Sequence, residues 1–238
     1  IYEDWQGLSS ALQERKLEEL LKQERDQGFD LKTPPLMRVA LLQLQATDYR
    51  VIWTNHHLLL DGWSTALVCK QLLINYQALK ANQRLPAAQA RPYGDYIAWL
   101  LNQDTQQAKA YWQSALAGEV SPAQLAIAHP HSEVATLVRK TLNWKASAAL
   151  TNEAQSFAKA YGLSFNTLVQ GVWALLVAHY SNTMDVLFGV TVSGRSADLI
   201  GIADQVGLFI NTLPFRVQIK ADETVVSYLK RVQEQSME

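Results

Sequence analysis

An apolar run, Val51-Ile52-Trp53-Thr54, leads into two adjacent histidines, His56 and His57. Asp61-Gly62 then makes a turn, and a helical pattern opens at Trp63. That order predicts a strand ending in paired imidazoles, a turn and a helix. A base carried on such elements is held in one place, as catalysis requires. The plainer reading is a satisfied core histidine beside an ordinary Asp-Gly turn. Neighbours on a strand point to opposite faces, so both rings cannot serve one metal ion. If His57 faces an opening, His56 faces the core and needs a hydrogen-bond partner there.

Around this decade the chain alternates strand and helix patterns. Residues 9–27 read as a helix, with Leu12, Leu17, Leu20 and Leu21 spaced on one face and Gly28 as its stop. Leu36 to Gln45 and Tyr49 to Thr54 read as a β-hairpin, and 63–80 as an amphipathic helix covering its sheet. Residues 81–92 form a loop, and Asp95–Leu101 and Gln106–Leu116 two further helices. From Gly118 to about Glu133 periodicity is lost in a connecting segment. Val134–Trp144 reads as a strand, Ser147–Tyr161 as a helix, and Ser164 as the cap of a strongly apolar helix. Asp185–Val192 is a strand, Gly207–Ile219 contains another that Pro214 interrupts, and a last helical pattern begins at Val225. The fold class is α/β, layered in the α+β manner.

Composition excludes several classes. With 48% hydrophobic and 18% charged residues and a net charge of −1, nothing favours nucleic acid or an anionic membrane. No apolar run reaches the ~18 residues a membrane helix needs. The single cysteine, Cys69, fits a reducing compartment such as the cytoplasm, and its apolar surroundings suggest packing. Both ends look cut from a longer polypeptide.

Asp61 follows His57 closely enough to orient the imidazole, or it could anchor the turn through an arginine. No Gly-x-Ser-x-Gly elbow supplies a nucleophile, so Ser64 reads as a cap in the first helical turn. Ser193-Gly194-Arg195-Ser196 follows a strand directly. Without a Gly-x-x-x-x-Gly-Lys it is no phosphate loop, and Arg195 is a candidate partner for Asp61. Asn211, inside the apolar run 207–214, is a structural residue or a site residue. His129, His131 and His179 lie too far apart in the sequence to complete a metal site, so no metal is expected.

Together these strings resemble the condensation domains of non-ribosomal peptide synthetases. The motif His-His-x-x-x-Asp-Gly-Trp-Ser is complete at 56–64. Phe29-Asp30-Leu31 with Arg38, Tyr93-Gly94-Asp95-Tyr96 with Trp99, Tyr111-Trp112, Asp185-Val186 through Arg195, and Val206 through Arg216 follow in order. The resemblance implies a pair of chloramphenicol-acetyltransferase-like lobes, each incomplete here. Residues 1–104 would be the later part of the first lobe. Residues 105–238 would hold a connecting helix and loop and the start of the second. It implies amide-bond formation between substrates tethered to phosphopantetheine on donor and acceptor carrier domains, with an adenylation domain nearby and no directly bound cofactor. His56, His57, Asp61 and Gly62 are the implied catalytic set, with His57 the acting residue, Asp61 structural through Arg195, and Gly62 leaving room for substrate. Trp63, Ser64, Arg195 and Asn211 support the site. Because the family's domain is about twice as long, the fragment by itself is expected to be inactive or poorly folded. An epimerisation domain of the same superfamily and a silent carrier-binding module are the alternatives.

Overall fold

The computed structural model describes residues 1–86, 91–118, 141–195 and 198–237. The chain divides into two units, one built from residues 1–103 and 193–211, the other from 104–192 and 212–238.

In the first unit a short strand, β1 (Tyr2–Asp4), precedes helix α1 (Ser10–Gln27) and the hairpin β2 (Met37–Gln43) and β3 (Tyr49–Asn55). β2 is central, pairing antiparallel with β3 and parallel with β1, so that Leu41 lies opposite both Val51 and Tyr2. Alternation along β2 sends Ala40 and Leu42 inward, where they meet Trp5, and Leu8, Leu17 and Leu20 close over them. The apolar stripe of α1 therefore covers this sheet.

Sequence periodicity assigned that role to helix α2 (Gly62–Lys80), and the structure corrects it. Leu72, Leu73, Tyr76 and Leu79 are all exposed, and Ser64 is the one buried residue of the helix among those described. The apolar residues of α2 run around the helix instead of forming a single stripe, so no one face is specified for burial. Cys69 is likewise exposed, not packed. Helix α3 (Tyr93–Leu101) completes the regular structure of the unit, with a short 3₁₀ turn at Ile202–Asp204.

The second unit carries α4 (Thr105–Ala115), α5 (Ala148–Ala160), α6 (Phe165–Ser181), the strand pair β4 (Asp185–Val192) and β5 (Asn211–Gln218), and α7 (Val225–Met237). Ser147 and Ser164 cap α5 and α6 by accepting from the amides of Leu150 and Thr167. Ala174, Val177 and Ala178 of α6 pack with Val186, Phe215, Val217, Tyr228, Leu229 and Val232 into one core. Arg216 grips Asp185 through both guanidinium ends at 2.9 and 2.7 Å, and that bidentate contact holds the carboxyl below its usual range.

Pro214 does not interrupt β5. In a two-stranded sheet each strand keeps an unpaired edge, where a missing N–H forfeits no ladder bond. Strand β1 was not legible, because three edge residues carry too little alternation to register. The expected connecting segment, most of the strand expected at 134–144, His129, His131 and Ser196 lie outside the described residues; residues 141–144 have no regular structure. Among the described residues no single helix is long and apolar enough to cross a membrane.

Candidate active site

Strand β3 ends at Asn55, one residue before the histidines, so His56 and His57 stand in a turn and not on the strand. The alternation that would oppose their rings therefore does not apply. The amide of His56 still donates to the Leu36 carbonyl at 3.0 Å, which ties the start of the turn to the sheet. The Leu59 amide then donates back to the His56 carbonyl at 3.1 Å, closing a β-turn with His57 at its second position. His57 is exposed and makes no hydrogen bond, ion pair or ring contact among the described residues. Its imidazole is available to something from outside.

Asp61 is the N-cap of α2. Its Oδ1 accepts the Ser64 amide at 2.7 Å, so the capping expected of Ser64 belongs to Asp61 instead. Oδ2 accepts the Phe209 amide at 3.1 Å, and the Asp61 amide donates to the Gly207 carbonyl at 3.3 Å. The carboxylate is buried at 3% exposure. Burial alone would raise its pKa. The amides of Ser64 and Phe209, with the Arg195 charge, outweigh burial and hold the carboxyl below the usual range. It makes no hydrogen bond to His57 among the described residues. Of the two roles open to Asp61, the geometry favours anchoring over orienting the imidazole.

Arg195 sits inside the same knot with its side chain only 6% exposed. Its Nη2 lies 3.4 Å from Asp61, a long contact, but only 2.8 Å from the Ser64 hydroxyl. Its Nη1 donates to the backbone carbonyls of Ile202 and Gln205, and its guanidinium lies 3.9 Å from the centre of the Phe209 ring. Ser64 is fully buried and its hydroxyl is saturated: it donates to the Gly207 carbonyl at 2.7 Å and accepts the Gly207 amide at 3.0 Å as well as Arg195. The tight link from arginine to aspartate thus runs through Ser64. Sequence reasoning noticed Ser64 and missed this use of it.

Two glycines let backbone into the knot. Gly194 has φ +64°, and a Cβ there would run into the Phe209 carbonyl. A Cβ on Gly207 would strike the ring of Tyr93, whose hydroxyl donates to the Leu208 carbonyl at 2.6 Å. Tyr93 and Tyr96 of α3 both pack on Phe209, with ring centres 5.2 and 4.7 Å away. Gly207 and Phe209 lie in the stretch Val206 through Arg216 that carries the resemblance, but neither they nor the carbonyls of residues 202 and 205 were given a role there.

Trp63 is half exposed and its indole donates to the Ala203 carbonyl at 2.9 Å. Asn211 opens β5 at an exposed position. Gly62 is the first residue of α2, and a Cβ built on it meets no heavy atom within 4 Å. Packing therefore does not demand a glycine there. Gly62→Ala is expected to stabilise the protein by about 0.4–1 kcal/mol. If substrate passes this point, turnover falls at the same time. Denaturant melting beside a turnover assay checks both halves.

The family model for the condensation domain matches residues 2–238. The chain belongs to that family. A linear gramicidin synthase of Brevibacillus parabrevis is 41% identical over 230 residues, covering 96% of this chain and 4% of the relative. Bacitracin synthase 3 of Bacillus licheniformis is 38% identical over 237 residues, covering 100% of this chain and again 4% of the relative. Among solved structures, the first condensation domain of the CDA synthetase superposes with a TM-score of 0.73 at 22% identity, over 99% of this chain and 52% of that one. The X-domain from teicoplanin biosynthesis gives a TM-score of 0.75 at 25% identity, over 92% and 51%. This condensation domain chain therefore spans about half of those solved chains and a small part of the synthases. Its mixed helix-and-sheet fold is that of the solved domains.

Proposed function

We propose that this chain forms an amide bond between two substrates delivered as thioesters on carrier domains. The carrying observation is the match to the condensation family over residues 2–238, together with an exposed His57 beside the Asp61–Ser64–Arg195 knot. The acceptor's amine attacks the donor's thioester carbonyl, the thiolate leaves, and the nitrogen gives up a proton. In this reading the His57 imidazole takes that proton or hydrogen-bonds to the charge developing on nitrogen. Asp61 and Arg195 touch no substrate. They fix the start of α2 and the turn before it, and so set where His57 stands. Tethering both substrates contributes much of the acceleration, since positioning alone can supply ~7–11 kcal/mol.

The chain needs no bound cofactor of its own in this reading. Donor and acceptor arrive on phosphopantetheine arms, and an adenylation domain is the neighbour that loads them. The setting is the cytoplasm. Residues 1–104 are assigned to the later part of a first acyltransferase-like lobe, and 105–238 to a connector and the opening of a second.

The test supplies the full-length protein with donor- and acceptor-loaded carrier domains in heavy water. Amide product without deuterium at the α-carbon is expected. Deuterium entering the α-carbon with no product would assign the chain to epimerisation instead.

A further inference from the structure

The turn that carries His57 is closed by a side chain as well as by backbone. His56 occupies its first position, and the Leu58 amide donates to His56 Nδ1 at 3.1 Å. In turns of this kind the first residue is commonly asparagine or aspartate, whose side-chain oxygen accepts the amide two residues on. Nδ1 of histidine and Oδ1 of asparagine stand the same number of bonds from the backbone, so His56 takes the place such a residue would hold. An accepting Nδ1 requires the ring proton to sit on Nε2.

The ring is braced from its other side. Phe29 meets it edge to face with centres 6.3 Å apart, and the Arg38 guanidinium lies 4.2 Å from the centre of the Phe29 ring. Arg38 is in turn fixed by Glu24 at 2.7 Å and by the Gly28 carbonyl at 2.8 Å. The chain of contacts from α1 through Phe29 to His56 gives the imidazole one orientation. Meanwhile its amide and carbonyl are held by Leu36 and Leu59. Four independent restraints converge on a residue adjacent to the exposed His57, whose own ring has none among the described residues.

We infer that His56 is a positioning residue for His57: its Nδ1 closes the turn that aims the neighbouring imidazole, and it does so as an isostere of asparagine. The inference rests on the amide-forming reading above.

In the full-length protein, His56→Gln carries its amide one bond too far out to accept the Leu58 amide, while His56→Asn restores an acceptor at the Nδ1 position. The His56→Gln variant is expected to lose about tenfold in kcat, the scale of one hydrogen bond, with KM within about twofold. His56→Asn is expected to recover most of that loss. Equal activity of the two variants, whether both high or both low, or a more active glutamine variant, overturns the inference. His57→Ala, assayed alongside, separates the two levels. If the wild-type protein gives no amide, the proposed function itself fails; if His57→Ala keeps product formation, the roles of His57 and His56 both fail; if it is inactive and the two His56 variants match, only the role of His56 fails.

Discussion

Replacing Arg195 with methionine is expected to cost about 3–5 kcal/mol of local stability, the range for removing one partner of a buried ion pair. The loss is larger than the 3.4 Å contact with Asp61 would suggest, because Arg195 also serves Ser64 and the carbonyls of Ile202 and Gln205. Without it, the Asp61 charge stays buried without its cationic partner, and the 202–209 segment loses the ties to α2 that run from the Ile202 and Gln205 carbonyls through Arg195. Amide hydrogen exchange in the full-length protein reads this directly: protection should fall at 61–65 and 205–209 together. The double variant Asp61→Asn/Arg195→Met should lie closer to wild type than the sum of the singles, since it leaves no unpaired charge. Unchanged protection in Arg195→Met would contradict this. The pH dependence has a definite sign. The folded-state pKa of Asp61 is lowered, so its contribution is present above the unfolded value of ~3.9 and is lost as pH falls through the folded one. Protection at Ser64 and Phe209 should therefore be kept at and above the ordinary carboxylate range and be lost only at lower pH, as the folded-state carboxyl takes up its proton.

Gly194→Ala should be nearly as damaging for a different reason. At φ +64° any side chain carries the left-handed cost of about 1–2 kcal/mol. Here the new Cβ also meets the Phe209 carbonyl, which is backbone and cannot rotate away. Phe209 would have to retreat, and its amide would leave Asp61 Oδ2. The combined effect is expected to exceed about 2 kcal/mol. Gly162 supplies the control. Its φ is +67°, yet no heavy atom lies within 4 Å, so Gly162→Ala carries the left-handed cost alone. Exchange at 207–209 should rise in the first variant only. Equal, small effects at both positions would show that the close approach at Gly194 does not constrain the knot.

Much of this was legible from residues alone, for identifiable reasons. Helices α1, α5 and α6 have a stop or a cap written into them, Gly28 for the first and Ser147 and Ser164 for the others. The β2–β3 hairpin shows its apolar runs on either side of Asp48. The motif at 56–64 named Asp61 and Ser64, whose side chains meet Arg195 in the structure. What escaped was tertiary. The helix over the first sheet was assigned by apolar content, where α2 exceeds α1; the feature that separates the two is the single apolar stripe that α1 has and α2 lacks. The 202–209 segment has no periodicity, and its value lies in backbone amides and carbonyls that every residue possesses. Only when Asp61, Ser64 and Arg195 are brought together does it become clear which of those groups are needed.

The reading turns on His57 as the group that handles the amine's proton. The most direct measurement is single-turnover amide formation by His57→Ala in the full-length protein, with binding of loaded carrier domains followed in parallel. Loss of ~10²–10⁴-fold in product formation, with carrier affinity unchanged, is the predicted result. Product formed at the wild-type rate by a protein lacking that imidazole would contradict it.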